Sequence, residues 1–145
     1  MRKRTNLINL IFISLMAILI CSMPVSASKV IDDSTKGVVR IVVFDQNNLL
    51  CSMGSGFAVG AGEPVKNIVT NFHVVEPNPY GVFLVRGTDD LVPAIVVGPL
   101  QTTDIAILEL TQPLYNIPPL PLGSESIAYT GDNVYALGFP GAAIS

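Results

Sequence analysis

The sequence predicts an all-β fold. Short segments rich in β-branched and aromatic residues recur at close spacing along the chain, and clusters of Gly, Pro, Asn and Asp separate them. The sequence contains no internal repeat, no heptad pattern and no amphipathic helix of useful length. Many short strands joined by turns are typical of antiparallel barrels and sandwiches, so an all-β class follows.

The individual strands are predicted from this pattern in chain order. Residues 37–44, 49–53 and 57–59 read as consecutive antiparallel strands, because the polar turn at 45–48 follows the first of them. A glycine-rich loop at 60–64 follows. The remaining predicted strands are 67–70, 80–86, 91–97, 105–110 and 133–137.

Prolines mark the connections between these strands. Pro77 and Pro79 discourage helix continuation and end the short turn that carries His73. Four further prolines make the segment before the last predicted strand an extended connector between two subdomains. These are Pro113, Pro118, Pro119 and Pro121.

The first 27 residues have the pattern of a secretory signal peptide. A basic head at residues 2–4 precedes a fourteen-residue apolar stretch at 7–20, and small residues at 25 and 27 form a cleavage site. The predicted organisation is a signal peptide at 1–27, a polar lead-in at 28–36 and one domain at 37–145. Asp32 and Asp33, within the lead-in, are interpreted as part of a solvated tail. A secreted or extracytoplasmic location follows.

An uncleaved membrane anchor is the alternative for this segment. A spanning helix needs about 20 apolar residues, and the stretch reaches that length only if residues 21–25 are added, which would give an anchor at 7–25. The membrane is therefore expected as a partner only if the segment is retained.

The mature composition limits the possible functions. Removing residues 1–27 leaves five basic side chains against eleven acidic ones, a formal charge of −6. No basic patch remains for nucleic acid. One histidine and one mature cysteine cannot form a recognisable zinc site, and no glycine loop for a nucleotide is present, so no cofactor is expected. The remaining cysteine, Cys51, is interpreted as a small apolar residue beside the core.

Two residues are candidates for catalysis. The single histidine, His73, follows the predicted strand 67–70, on a turn that Thr70 or Asn71 is expected to cap, and Asp104 opens the apolar segment 105–110. An imidazole base and a desolvated carboxylate that orients it are two members of a nucleophile-activating triad. On spacing alone, an ordinary surface or core histidine and an aspartate that caps a turn after Thr102 and Thr103 are the favoured interpretation.

Four segments in order favour the catalytic interpretation. They are Gly54-Ser55-Gly56-Phe57, residues 68–75, residues 104–108 and residues 131–140. Together they resemble the successive signature segments of trypsin-like serine endopeptidases, and most closely the HtrA/Deg branch, over about residues 37–141. Four matches in order are far more specific than any one of them.

This resemblance implies a chymotrypsin-like double β-barrel with the active site between the barrels. His73 would be the general base and Asp104 its orienting carboxylate, acting on polypeptide substrates. Residues 138–141 would belong to an early strand and turn of the second barrel. Two-barrel proteins usually need about 200 to 250 residues, so the chain is expected to hold the first barrel and the start of the second, with the domain incomplete at its C-terminus.

The nucleophile of that family is missing from the sequence. The family's serine lies in a Gly-Asn/Asp-Ser-Gly-Gly turn that also supplies the oxyanion hole, and no such turn occurs here. Ser55 has flanking glycines but not the strand-to-helix elbow of a nucleophile, and in this family it belongs to a structural strand. The intact protein is therefore predicted to be a serine endopeptidase and this chain alone to be inactive. A non-catalytic secreted binding module, a pseudo-protease, is the alternative.

Overall fold

The computed structural model describes residues 27–86 and 90–139. The predicted signal peptide, except Ala27, lies outside these residues. The chain divides into two units, Met1–Val30 and Ile31–Ser145, and all the strands lie in the second. The elements in order are α1 (Ala27–Thr35), β1 (Val38–Phe44), β2 (Leu50–Val59), β3 (Val65–Thr70), α2 (Phe72–Val75), β4 (Val82–Arg86), β5 (Asp90–Leu100) and β6 (Ile105–Leu114). Within the described residues, no helix is both long and apolar enough to span a bilayer.

The polar lead-in is a helix, which the sequence did not predict, and Asp32 and Asp33 lie exposed on it. Helix α1 covers nine residues. Just beyond its last turn, Lys36 Nζ lies 2.6 Å from Asp33 Oδ1, and a cation near a helix C-terminus interacts favourably with the helix dipole. Gly37 then donates its N–H to the carbonyl of Ser34 and ends the helical segment before β1. These local contacts stabilise a helix that the apolar pattern did not indicate.

The six strands form one closed antiparallel barrel, which confirms the all-β class. Their order around the barrel is β1-β2-β3-β6-β5-β4, and β1 closes the barrel by pairing with β4. Closure leaves no strand edge with unpaired backbone groups. Within the barrel, β3 pairs with β6, which follows it only after two intervening strands.

The barrel interior is filled by apolar side chains, which alternate with exposed residues over parts of the strands. In β1, Val39 and Ile41 are buried while Arg40 between them is exposed. Facing strands contribute Ile68, Leu84 and Leu108, each at most 1% exposed. Such alternation is what a strand with one buried face requires. The packed interior, rather than any cross-link, stabilises the domain.

Strand β2 is continuous across Gly54 and Gly56, where the sequence predicted a break between two strands. A Cβ atom on Gly56 would lie 2.7 Å from Ile68 Cγ2 and 2.8 Å from Ile41 Cδ1. Glycine in a strand often marks such a close approach rather than a turn. These glycines therefore allow β2 to pack tightly.

The predicted strand at 133–137 is not formed in the structure, which corrects that expectation. The described residues from 128 to 139 contain no strand. A strand needs a neighbour to complete its hydrogen bonds, and every barrel strand already has two. Pro113 also lies within β6, near its end, rather than in the connector.

We predict that Leu108→Ala lowers the free energy of unfolding by about 2 to 5 kcal/mol, because it leaves a cavity in the barrel interior. Leu108 is 0% exposed and pairs with Ile68 on one side and Val96 on the other. Ile95→Ala is the matched control: Ile95 is 57% exposed, and its removal should cost about 1 kcal/mol or less. Urea unfolding measures both, and equal losses would contradict the described core.

Candidate active site

The histidine is presented by a short helix that packs on the barrel. In α2, Val74 and Val75 are buried while the His73 side chain between Phe72 and Val74 is 67% exposed. Glu76 donates its N–H to the carbonyl of Phe72 and closes the helical turn. The two valines therefore fix the helix, and the imidazole points outward.

Strand β2 makes room for this helix. A Cβ atom on Gly54 would lie 2.5 Å from Val74 Cγ2. No side chain larger than hydrogen fits there unless α2 moves. Gly54, which belongs to the Gly-Ser-Gly-Phe segment, therefore contributes to the position of His73 two elements away.

Asp104 lies at the junction between a turn and a strand. A single 3-10 turn, Gln101–Thr103, follows β5, and Asp104 donates its N–H to the carbonyl of Gln101. Its backbone is left-handed, with φ 52° and ψ 44°. This conformation turns the chain into β6 at the next residue.

The pairing of β3 with β6 brings the two candidates together. In this antiparallel pair, Thr70 at the end of β3 lies opposite Ala106 near the start of β6. The residues that follow Thr70 therefore meet the residues that precede Ala106. His73 and Asp104, 31 positions apart in the chain, become neighbours.

Two hydrogen bonds join His73 to the Asp104 carboxylate, one from the imidazole ring and one from the main chain. His73 Nδ1 lies 2.8 Å from Asp104 Oδ2, and the backbone N–H of His73 donates to Asp104 Oδ1 at 2.9 Å. An ionised carboxylate only accepts, so the Nδ1 atom carries the hydrogen and the Nε2 lone pair faces outward. Within residues 27–86 and 90–139, no side chain hydrogen-bonds to Nε2. The imidazole is therefore oriented to accept a proton at Nε2.

Asn71 is a member of the site whose role the sequence did not reveal. Its side-chain amide nitrogen Nδ2 lies 3.2 Å from both the backbone oxygen and Oδ2 of Asp104. Asn71 occupies the N-cap position of α2 but makes no side-chain capping bond, and Thr70 Oγ1 bonds to the carbonyl of Ser55 instead. The expectation that either residue caps the turn was therefore wrong.

The Asp104 carboxylate is stabilised in its ionised form. The His73 backbone N–H, followed by the His73 side chain and the Asn71 amide, holds the pKa of Asp104 below its usual range. The Asp104 side chain is 47% exposed, so the desolvated carboxylate expected from the sequence is not observed. Hydrogen bonding, rather than burial, dominates its electrostatics.

We predict that the contact between the His73 amide and Asp104 persists to a pH below the ordinary aspartate value of about 3.9. A carboxylate with a depressed folded pKa stabilises the fold above the unfolded pKa, and that contribution is lost as pH falls through the folded pKa. The ¹H–¹⁵N shift of the His73 amide should report this transition, which Asp104→Asn should remove. A midpoint at or above 3.9 would contradict the description of the site.

Ser55 uses its hydroxyl elsewhere. Its Oγ accepts the N–H of Phe139 at 2.7 Å and lies 3.3 Å from the Phe139 carbonyl oxygen. The ring of Phe139 also lies under the guanidinium of Arg40, 5.0 Å from centroid to Cζ. These contacts tie residue 139 to the barrel wall and give Ser55 a structural partner.

Cys51 lies on the surface rather than beside the core, which corrects the sequence interpretation. The register between β1 and β2 shifts at this point, so Val43 faces Ser52 while Phe44 faces Leu50. The extra residue in such a bulge has no direct partner. Cys51 is that residue and is exposed, with its Sγ 3.3 Å from the carbonyl oxygen of Val43.

An apolar groove of about 510 Å³ opens beside the site. Its lining includes Ser55, Asn71, Ile105, Tyr135 and Leu137 but neither His73 nor Asp104.

Among the described residues, no three His, Cys, Asp or Glu side chains are grouped to hold a metal ion.

A closed β-barrel that carries an oriented His–Asp pair is the framework of a trypsin-like peptidase. The family model for the trypsin-like peptidase domain matches residues 54–144, more than half of the chain. The chain therefore belongs to the trypsin-like peptidase domain family.

The chain is also similar to a protease of the HtrA type. The mitochondrial serine protease HTRA2 of Drosophila willistoni is 36% identical over 98 residues, which are 67% of this chain and 21% of the relative. The anti-sigma-I factor RsgI9 of Acetivibrio thermocellus is 29% identical over 119 residues, which are 81% of this chain and 16% of the relative. The chain thus spans about a fifth or less of the length of these two proteins.

Solved structures share the fold. The active form of the Rv3671c protease from M. tuberculosis has a TM-score of 0.51 at 27% identity, covering 66% of this chain and 39% of that one. The serine endoprotease from Yersinia pestis has a TM-score of 0.55 at 22% identity, covering 70% and 35%. The expected chymotrypsin-like fold is confirmed by these neighbours together with the all-β barrel.

Proposed function

We propose that the intact protein is a serine endopeptidase that uses a Ser-His-Asp triad, with His73 as general base and Asp104 as its orienting carboxylate. The observation that carries this proposal is the double contact between the two residues, through Nδ1 to Oδ2 at 2.8 Å and through the backbone N–H to Oδ1 at 2.9 Å. Membership of the trypsin-like family adds the reaction class.

The geometry suits each proton transfer of that reaction. Nε2 of His73 takes the hydroxyl proton as the serine oxygen attacks the peptide carbonyl carbon, and Asp104 stabilises the imidazolium that forms. His73 then gives this proton to the leaving amine, and the acyl-enzyme remains. Water, deprotonated by the same Nε2, then attacks the acyl carbon. The acyl–serine bond breaks, and the imidazolium returns the proton to the serine oxygen as the second product leaves.

We assign the serine and the oxyanion-hole donors to the rest of the intact protein. The glycine-rich serine turn does not occur in the 145 residues, and Ser55 Oγ is bonded to the backbone of Phe139. The short coverage of the relatives, 21% and 16% of their lengths, agrees with this division. The chain alone should therefore not hydrolyse peptides.

Polypeptides are the proposed substrates, and no cofactor is required by the triad. The formal charge of −6 left after residue 27 disfavours nucleic acid as a partner.

A non-catalytic binding module is the second candidate. One relative favours it. The protein that is similar to this chain over 81% of its length is named as an anti-sigma-I factor and not as a protease. In that case the barrel would be retained for protein contacts and the serine turn replaced.

The two candidates are separated by the coding sequence beyond codon 145 and by labelling of the intact protein. An open frame with a Gly-Asn/Asp-Ser-Gly-Gly turn, together with covalent labelling by a fluorophosphonate that disappears in His73→Ala, supports the peptidase. A Gly-x-Ala-Gly-Gly turn, or an intact protein that neither reacts with the probe nor cleaves unfolded casein, would overturn it and favour the binding module.

We also predict export with cleavage after Ala27. The basic head, the apolar stretch and the small residues at 25 and 27 carry this prediction. The intact mass of the protein recovered outside the cytoplasm should correspond to a chain that begins at Ser28. A product that still contains residues 7–25 would show a membrane anchor instead.

A further inference from the structure

Asp104 is held in a backbone conformation that few residues adopt. Its φ of 52° lies in the left-handed region, and the other non-glycine residues described with positive φ are Asn48 and Asn116. Side chains with a Cβ visit this region infrequently, although aspartate tolerates it better than most. The hydrogen bond from its own N–H to Gln101 is long, at 3.3 Å. A second contact to the Asp104 main chain therefore adds to the stability of this conformation.

Asn71 supplies that contact. Its Nδ2 atom lies 3.2 Å from the Asp104 backbone oxygen and 3.2 Å from Oδ2. One amide group thus bonds to both the main chain and the side chain of the same residue. His73, by contrast, contacts only the carboxylate. Asn71 therefore fixes the Asp104 carboxylate relative to the Asp104 main chain.

We propose that Asn71 is a positioning residue, which holds Asp104 in the conformation that lets its carboxylate accept both N–H groups of His73. This inference rests on the proposed function. Asn71 acts through Asp104 and is separate from the proton transfers. An asparagine suits the position, because the two hydrogens of its amide can be donated to two acceptors at once.

Alanine or aspartate at position 71 cannot donate hydrogen bonds to both Asp104 acceptors. Alanine removes both donors. Aspartate keeps the size of asparagine but presents a second carboxylate to two acceptors, which replaces attraction with repulsion. Since Asn71 is exposed, neither change disturbs the barrel interior, and both variants should fold.

The activity test uses the intact protein with a fluorogenic peptide. Asn71→Ala should lower kcat between about 10- and 100-fold, a range typical of a misplaced catalytic group, with KM within about twofold. Asn71→Asp should also move the acid limb of the pH profile to higher pH, because a second carboxylate favours the protonated imidazole. Asn67→Ala is the matched control, since Asn67 is an exposed asparagine on β3, the strand that ends just before Asn71, and it should leave kcat unchanged.

A second measurement is independent of catalysis. The His73 amide is protected by Asp104 Oδ1, so Asn71→Ala should speed its hydrogen exchange roughly five- to tenfold, whereas Asn67→Ala should not. If the wild type lacks peptidase activity, the proposed function fails and the exchange rate alone decides this inference. Unchanged exchange in Asn71→Ala, or an active protein whose kcat is equal in Asn71→Ala and Asn67→Ala, would overturn it.

Discussion

Replacing His73 with alanine in the intact protein should lower turnover on the order of 10⁶-fold, the loss typical of removing the base of a serine-protease triad. Without the imidazole, the triad loses the base that takes the serine proton, and a neutral hydroxyl is a poor nucleophile. The measurement is kcat on a peptide substrate at neutral pH, with the active-site concentration of the wild type determined by fluorophosphonate titration.

The comparison requires that the variant remain folded, and the structure indicates that it will. The His73 side chain is 67% exposed, and the helix that carries it is fixed by the buried Val74 and Val75. Tyr115→Ala is a suitable control, because it removes an aromatic side chain that is 62% exposed just beyond β6. If folded His73→Ala retained a hundredth of wild-type turnover, His73 would not be the base.

The barrel was largely predictable from the sequence. Alternation of buried and more exposed residues in β5 and in the first half of β6 comes directly from the pleat of a strand with one buried face. The sequence also indicated the strands that flank His73 and Asp104. Alternation does not specify the pairing order, because β3 pairs with β6, which follows it only after β4 and β5.

Glycine was the least reliable sequence indicator of where a strand ends. Gly54 and Gly56 predicted a break in β2, yet both lie within one continuous strand, because their missing Cβ atoms make room for Val74 and for the barrel core. From sequence alone, a glycine that allows close packing and a glycine that allows a turn are indistinguishable. The neighbour that decides between them is remote in sequence.

The candidate site was predicted in its residue types but not in its supports. His73 and Asp104 were identified from the signature segments, and the structure places them in contact. Asn71 was assigned to helix capping, the usual role of an asparagine before a short helix, but its amide turns to Asp104. That choice depends on β6 lying beside β3, which local sequence does not specify.

Asp104→Asn should reduce turnover by about 10⁴-fold, the loss established for this change in a serine-protease triad, which corresponds to roughly 5.4 kcal/mol of transition-state stabilisation. The reason lies in the donors that surround the carboxylate. Oδ1 accepts the His73 backbone N–H, while Oδ2 accepts from both the His73 ring and Asn71.

An asparagine at position 104 cannot satisfy all three donors. If its oxygen faces the His73 backbone N–H, its NH₂ group points at the Asn71 amide and at Nδ1, which must then become an acceptor. The ring proton moves to Nε2, and the base is lost. If the amide is flipped, the NH₂ group opposes the backbone N–H of His73 instead. Either orientation leaves two donors face to face.

The control for this variant is Asp45→Asn. Asp45 accepts backbone N–H groups from Asn47 and Leu49, and these bonds hold its pKa below the usual range, as at Asp104. The same change there removes a comparable set of hydrogen bonds from a turn outside the site, and turnover should be unaffected. If folded Asp104→Asn kept more than about a tenth of wild-type turnover, the remaining cost, under about 1.4 kcal/mol, would be that of an ordinary hydrogen bond. Asp104 would then have no place in the triad, and the oriented imidazole would owe its position to α2 alone.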